Sequence, residues 1–433
     1  MTKTFFRYVI PSMLAFALSG VYAIVDGFFV GNTLGDQGLA AINIAYPVTA
    51  FILAIGTGIG MGGAIQYAIY DGARQIQSRN RYFWISVGCL ISITILVMIV
   101  FIPFNEPILK LFGAEGLLLS YGKEYLHYIL LGAFFQIMAT GLVPFIRNMN
   151  GSVQAMLAMI GGFVTNIILD YLLVWVYSMG MKGAAVATVL GQGVTMICCI
   201  FFFYRRRQHL FAKWNADWKY QVTKIFTSAI SPFGLTFIPN LTLIFINKSA
   251  IVTGGNVAVS EYAIISYAVC VVLLLLQGVS DGAQPLISLH YGRNELYESQ
   301  KIRNLAYIAS TVTATLCIGL GYAFRYQIGY LFGASEEVVI LFAQDFIIFL
   351  IGFLFVGISR TTLSYFYATE KNLYAYLLIY CEPLFLLVYV CILPLIWGIL
   401  GTWLATPLSQ FSILVMSLVL SVHVSKQTQV NKN

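Results

Sequence analysis

Leu111-Phe112-Gly113-Ala114 returns as Leu331-Phe332-Gly333-Ala334, an offset of 220 in a chain of 433 residues. The same offset carries Gly58 onto Gly278 and Gly62 onto Gly282, and sets Gly72-Ala73-Arg74 against Gly292-Arg293-Asn294. The identities are sparse. Three separated matches at one spacing, each in similarly apolar surroundings, nevertheless describe a chain made of two copies of one unit. In a strongly apolar chain this is the signature of a transporter built around a central cleft.

The rest of the sequence supplies that apolar setting. Apolar residues make up 59% of the chain and charged residues 9%, with a mean hydropathy of +0.84. A soluble domain carries roughly 25% charged residues, so this chain cannot cover a water-facing surface and is an integral membrane protein. Apolar stretches near the ~20 residues needed to cross hydrocarbon recur at 8–30, 39–68, 83–104, 124–146, 155–177, 183–204, 225–247, 258–288, 304–324, 339–367, 373–396 and 402–424. The expected fold is therefore an all-α membrane protein of twelve transmembrane helices. They form two six-helix lobes over 1–204 and 225–433, joined by a linker over 205–224. Six spans per copy return each copy to its starting side, so the repeats are parallel ones, related by an axis along the membrane normal.

The net charge of +7 gives topology rather than affinity for nucleic acid. With the N-terminus inside, the loops on that side hold eighteen of the Lys and Arg residues, among them Arg74, Arg79, Arg147, Arg205–Arg207, Arg293 and Lys371. The opposite side holds five: Lys110, Lys123, Lys182, Lys248 and Arg325. Arg360 falls inside a span. This bias predicts a multi-pass protein of the cytoplasmic (inner) membrane with both termini cytoplasmic. The first apolar segment is too long for a cleavable leader and reads as the first span. In the linker, Phe211, Trp214 and Trp218 share one helical face among basic residues, which predicts an amphipathic helix at the interface. The seven cysteines all sit in apolar segments without CxxC spacing and read as packing residues.

Chemistry is sought first at acids inside spans, because an ionised carboxylate at mid-bilayer costs ~2.5–3.5 kcal/mol on insertion scales. Asp26, Asp170, Asp281 and Glu382 lie well inside spans, whereas Asp71, Glu124, Glu261 and Asp345 fall nearer the ends and are expected to be solvated. Asn166 precedes Asp170 by one helical turn, and Thr188 precedes Gln192 by one turn on the next span. Tyr22 stands one turn before Asp26. Two carboxylates with amide and hydroxyl oxygens are hard ligands, fit to hold Na+ or to share a proton. Helix-to-helix bonding by Asn166 and Asp170 is the alternative reading. Asp281 lies in Gly278-Val279-Ser280-Asp281-Gly282-Ala283-Gln284-Pro285, where its repeat counterpart is Met61. With Gln284, Glu382, Tyr22 and Gln192 it is a candidate for lining a substrate cavity. Nucleophile-elbow, HExxH, P-loop and dinucleotide signatures are lacking, and the four histidines are scattered. The chain reads as a transporter without an organic cofactor rather than as an enzyme.

Pro11, Val25-Asp26-Gly27-Phe28-Phe29-Val30-Gly31, Leu34-Gly35, Gly38-Leu39-Ala40-Ala41 and Pro47 together resemble the opening of multidrug and toxic compound extrusion (MATE) transporters. Asn166 to Asp170, Gly183 to Thr188 and Gln284-Pro285-Leu286 extend the resemblance over nearly the whole chain. It implies two six-helix lobes around a central cleft and export of cationic, aromatic compounds in exchange for H+ or Na+. It also implies a cation site at Asp26, Asn166, Asp170 and Thr188. One departure is visible. The branch that relies on a Glu in the seventh helix has Asn240 as its nearest match here, and its tenth-helix acid has no clear counterpart. The chain therefore looks more like the bacterial multidrug-export branch that works through the first lobe. A monomer is expected, since the cleft lies within one chain. The runner-up reading is a flippase for lipid-linked oligosaccharides of the same architecture, against which stands the scarcity of Lys and Arg within spans.

Overall fold

The computed structural model describes residues 1–207, 210–213, 217–332 and 335–430, with side chains described throughout except at Ala23, Asp36 and 425–430. The helices run α1 (Thr2–Gly72), α2 (Ile76–Phe101), α3 (Asn105–Leu111), α4 (Gly116–Leu131), α5 (Ala133–Asn148), α6 (Ser152–Leu169) and α7 (Gly180–Arg205), then α8 (Trp218–Gly292), α9 (Leu296–Ala323), α10 (Arg325–Leu331), α11 (Glu336–Leu350), α12 (Gly352–Ala368), α13 (Asn372–Trp397) and α14 (Ile399–Val430). No strand occurs among the described residues. In hydrocarbon each backbone N–H and C=O must be satisfied within the chain, and helices do this locally.

Among the described residues ten helices or helix arms are long and apolar enough to cross a membrane, and the pair α4–α5 adds an eleventh, bent by 56°. The bend falls at Gly132, where a Cβ would collide with Val189 of α7. The 75 residues of α8 would extend more than 100 Å as one rod, but the helix breaks at Gly255 (φ 66, ψ −155) into two arms and so supplies two spans. α1 breaks in the same way at Gly35 (φ 65, ψ −161). Only glycine tolerates these angles comfortably. The twelve expected spans are thus all present.

The repeat is visible in the backbone at the same offset of 220. Positive φ recurs at Gly35 and Gly255, Arg74 and Asn294, Asn150 and Glu370, and Ser178 and Gly398. The short α3 and α10 are likewise equivalents. Gly333 and Ala334 of the quoted tetrapeptide lie outside the described residues.

Packing sorts the chain into two compact units, one of residues 18–237 with 288–295, the other of 1–17 with 238–287 and the chain from Leu296 onward. In the first unit the core gathers Val30, Ile52, Leu90, Leu126, Ile137 and Phe145. Gly62 lets α1 close onto the opening arm of α8: a Cβ there would lie 2.5 Å from the Ile225 carbonyl oxygen. In the second unit the core gathers Ile265, Phe342, Phe346, Phe353 and Trp403. There Gly278 does the equivalent for the opening arm of α1, with a Cβ falling 2.5 Å from Met13 Cα. Residues 205–224 do not form one amphipathic helix. Phe211–Lys213 are irregular, held by Asn80 Nδ2 donating to the Phe211 carbonyl (2.8 Å) and Trp84 Nε1 donating to the Leu210 carbonyl (2.8 Å). His209 and Trp214 lie outside the described residues.

Candidate functional site

The candidate cation ligands converge in the first unit. Asn166 and Asp170 are one turn apart on α6, with Asn166 2% exposed and Asp170 fully buried. Asp170 opens a π-helical segment, Asp170–Val176, whose wide turn ends the α6 ladder at the carboxylate. π turns of this kind occur mostly at functional positions. Asp26 comes from the first arm of α1, and its carboxylate lies within hydrogen-bonding reach of Asp170. Thr188 approaches from α7, buried, its hydroxyl donating to the Ala184 carbonyl (3.1 Å) and leaving its lone pairs available.

The unsatisfied atoms define what the arrangement can do. Both oxygens of Asp170, one oxygen of Asp26 and both polar atoms of Asn166 are buried without a hydrogen-bond partner. Ionised carboxylates have no proton to donate, so two facing each other leave their oxygens as orphan acceptors. Buried orphans of this kind cost several kcal/mol unless a proton or cation joins them. With the Asn166 carbonyl and Thr188 hydroxyl they form an all-oxygen set suited to one monovalent cation or one shared proton.

Aromatic rings wall this site. Tyr22 reaches Thr188 and stacks on Phe163 of α6 at 5.2 Å with its plane tilted by 9°. Phe28 stacks on Trp175 at 6.3 Å, and Phe29 meets both Tyr171 (6.4 Å) and Trp175 (6.1 Å). These contacts clamp the second half of the first arm of α1 against the π segment. Tyr125 of α4 is 5% exposed and lies within electrostatic range of Asp26 and Asp170. Sequence reasoning passed over it, because a tyrosine in an aromatic-rich apolar segment carries no local signal. Gln192 is half-buried, one turn beyond Thr188.

The remaining sequence candidates belong to the other unit. Asp281 is 3% exposed and accepts from Gln277 Nε2 (2.6 Å) and from the Tyr367 hydroxyl (3.4 Å). Gln277 in turn accepts from Arg360 Nη1 (3.3 Å), and the Arg360 charge acts on half-buried Glu382. Gln284 is fully buried in the same helix. Nine sequence candidates therefore resolve into two groups, an orphaned oxygen cluster in one unit and a bonded polar relay in the other. The structure departs from expectation at Glu261, read from sequence as water-accessible: it is 3% exposed, because α11 and α14 close over it.

The comparisons agree with the duplicated helical fold. The MatE family model matches residues 11–172 and 228–393, once in each repeat. The multidrug export protein MepA of Staphylococcus haemolyticus is 24% identical over 371 residues, covering 83% of this chain and 81% of that protein. MepA of Staphylococcus saprophyticus is 25% identical over 373 residues, with the same coverage. Among solved structures, a MOP superfamily transporter from Pyrococcus furiosus superposes with a TM-score of 0.91 at 20% identity, over 98% of this chain and 96% of its own. A multidrug resistance MATE family transporter in an outward-facing conformation gives 0.90 at 20% identity, over 99% and 96%.

Proposed function

Since this chain belongs to the MatE family, we propose that it is an antiporter that exports cationic, aromatic small molecules across the cytoplasmic membrane, driven by H+ or Na+, with both termini in the cytoplasm. The observation that carries the reading is the oxygen cluster of Asp26, Asn166, Asp170 and Thr188, in which both oxygens of Asp170, one of Asp26 and the polar atoms of Asn166 are buried without a hydrogen-bond partner. Its likeness to exporters named for multidrug efflux supports the substrate class. The orientation follows from the excess of Lys and Arg on the side of the N-terminus. No step requires a second subunit, and the chain acts as a monomer.

In this reading a cation arriving from outside cancels one of the two carboxylate charges of the Asp26–Asp170 pair and gives the orphaned oxygens a partner. Loss of that repulsion lets the first arm of α1 repack on α6 through Tyr22, Phe28 and Phe29, and this favours the state that releases drug. Drug and cation must prefer opposite states, because a ligand that binds both states equally shifts nothing. The flippase reading would need cations lining the spans for phosphate. Arg360, the Arg that sequence places within a span, is engaged with Gln277.

The test is ethidium efflux from proteoliposomes under a Na+ gradient and a pH gradient imposed separately. Export under one gradient is expected to vanish in Asp170→Asn and Asp26→Asn. Wild-type rates in both variants, at equal protein content, would overturn the proposal.

A further inference from the structure

The second unit holds a carboxylate pair of its own, at positions that are not repeat equivalents of Asp26 and Asp170. Glu261, on the second arm of α8, is 3% exposed and its Oε1 is buried with no hydrogen-bond partner. Among the described residues, the buried carboxylate oxygens in that condition belong to Asp26, Asp170 and Glu261 alone. The carboxyl group of Glu261 lies within hydrogen-bonding reach of that of half-buried Asp345 on α11. Asp345 is in turn fixed by Trp403 of α14, whose indole Nε1–H donates to Asp345 Oδ2 at 2.9 Å.

Three features make this a built site. Trp403 is fully buried. It stacks on Tyr262, the neighbour of Glu261, at 5.7 Å and 16°, and Phe349 closes against both rings at 6.0 and 6.3 Å. The indole bond occupies one oxygen of Asp345 and orients the other groups around Glu261. Second, among the described residues the charge acting on Glu261 is that of Asp345, which has the same sign. The surrounding elements add Tyr262 from α8, Trp403 and Thr402 from α14, and Glu336 and Glu337 at the start of α11. Two carboxylates this close, one of them buried, repel each other when both are ionised, and a proton held between them relieves that repulsion. Third, the positions are private to this unit. At the offset of 220 the equivalents of Glu261, Asp345 and Trp403 are Ala41, Tyr125 and Gly183, while those of Asp26, Asn166, Asp170 and Thr188 are Ile246, Leu386, Val390 and Leu408.

We propose that Glu261 and Asp345, oriented by Trp403, form a second proton-binding site that takes up one proton shared between the two carboxyl groups. Uptake of one proton turns the facing carboxylates into a carboxylic acid donating to a carboxylate and leaves the pair with a single negative charge. The site goes beyond the Asp26–Asp170 reading and does not rest on it.

The site carries its own reporter, because the ring of Trp403 bonds directly to the titrating pair. The experiment is a pH titration of tryptophan fluorescence in sodium-free buffer on the purified full-length protein, with the Trp403 contribution taken as the difference from Trp403→Phe. A transition present in the wild type and in Asp170→Asn, and lost in both Glu261→Gln and Asp345→Asn, is the expected result. Should one of those variants fail to fold, the other carries the test. Persistence of the transition in either folded variant would overturn the proposal, as would its loss in Asp170→Asn. A saturable response to NaCl at fixed pH, not reproduced by choline chloride, would overturn the proton in favour of sodium.

Discussion

Asp170 shows how far one residue can be understood alone. Its depth in an apolar span and the Asn166 one turn earlier mark it in the sequence, and the structure buries it completely with both oxygens unsatisfied. Asn166 and Thr188 supply neutral oxygens, so their removal should weaken the site without abolishing it. Asn166→Leu and Thr188→Val are expected to raise the half-saturating concentration of the driving cation about 10- to 100-fold, as for other supporting groups around bound ions. Efflux rate against cation concentration measures this. A drop to the level of Asp170→Asn would mean that they act as primary ligands. Glu261 is the opposite case. Nothing near it in sequence separates it from solvated Glu124, because what removes its water is Trp403, 142 positions away (403 against 261). Burial of this kind is a tertiary fact, and a window of neighbours cannot contain it.

At the scale of elements, hydropathy located the spans, since a helix needs little more than length and apolarity to enter a bilayer. The interruptions were less legible. The 56° bend at Gly132 depends on Val189, and the π turn at Asp170 on how α6 meets α1 and α7. The break glycines give a stability prediction. Gly35→Ala or Gly255→Ala forces a side chain into backbone angles essentially reserved for glycine, at a cost of about 1–3 kcal/mol. A lower melting temperature in detergent is the expected outcome. The repeat also points to a stabilising change. Ser178 sits at φ 50 where its equivalent is Gly398 at φ 58, so Ser178→Gly should raise the melting temperature by relieving about 1 kcal/mol of left-handed strain. On the short α3, outside the spans, the Glu106 carboxyl is held down to about 2 by Lys110 of the same helix and by Lys123 of α4. That depressed value means the interaction is complete above the ordinary carboxylate range and is lost as pH falls from about 4.5 toward 2. Since these ion pairs reach water through the exposed Lys110 and Lys123, Glu106→Gln should leave the melting temperature nearly unchanged at neutral pH.

The whole molecule reads as a duplication in which the scaffold was kept and the chemistry diverged. Breaks, left-handed residues and short helices recur at 220, yet the acids of each unit occupy places that are apolar or neutral in the other. The duplicated scaffold was legible because glycine at a close approach tolerates little substitution. Within the first unit, a Cβ at Gly72 would strike the Leu289 carbonyl oxygen, and one at Gly292 would strike that of Ile69. Leu289 and Ile69 are themselves repeat equivalents, so the crossing is reciprocal, as in a two-fold interface. Both substitutions disrupt one crossing, so Gly72→Ala and Gly292→Ala should each lower thermal stability and their effects should not add. Melting curves of the two singles and the double test this. Full additivity would show that the crossings are independent.

The π turn at Asp170 has one further meaning, a mechanical one. A π turn is an α-helix carrying one residue more than its pitch needs, and the bond from the Tyr177 N–H to the Leu172 carbonyl (2.8 Å) spans that surplus. Such slack passes along a helix by exchanging one hydrogen bond at a time, and each exchange rotates the downstream rings by about 100°. Trp175 and Tyr171, which grip Phe28 and Phe29, ride on the slack segment, while Asp170 sits at its fixed end. The surplus residue thus sits between the carboxylate that opens the segment and Trp175, the ring further along it that meets Phe28 and Phe29.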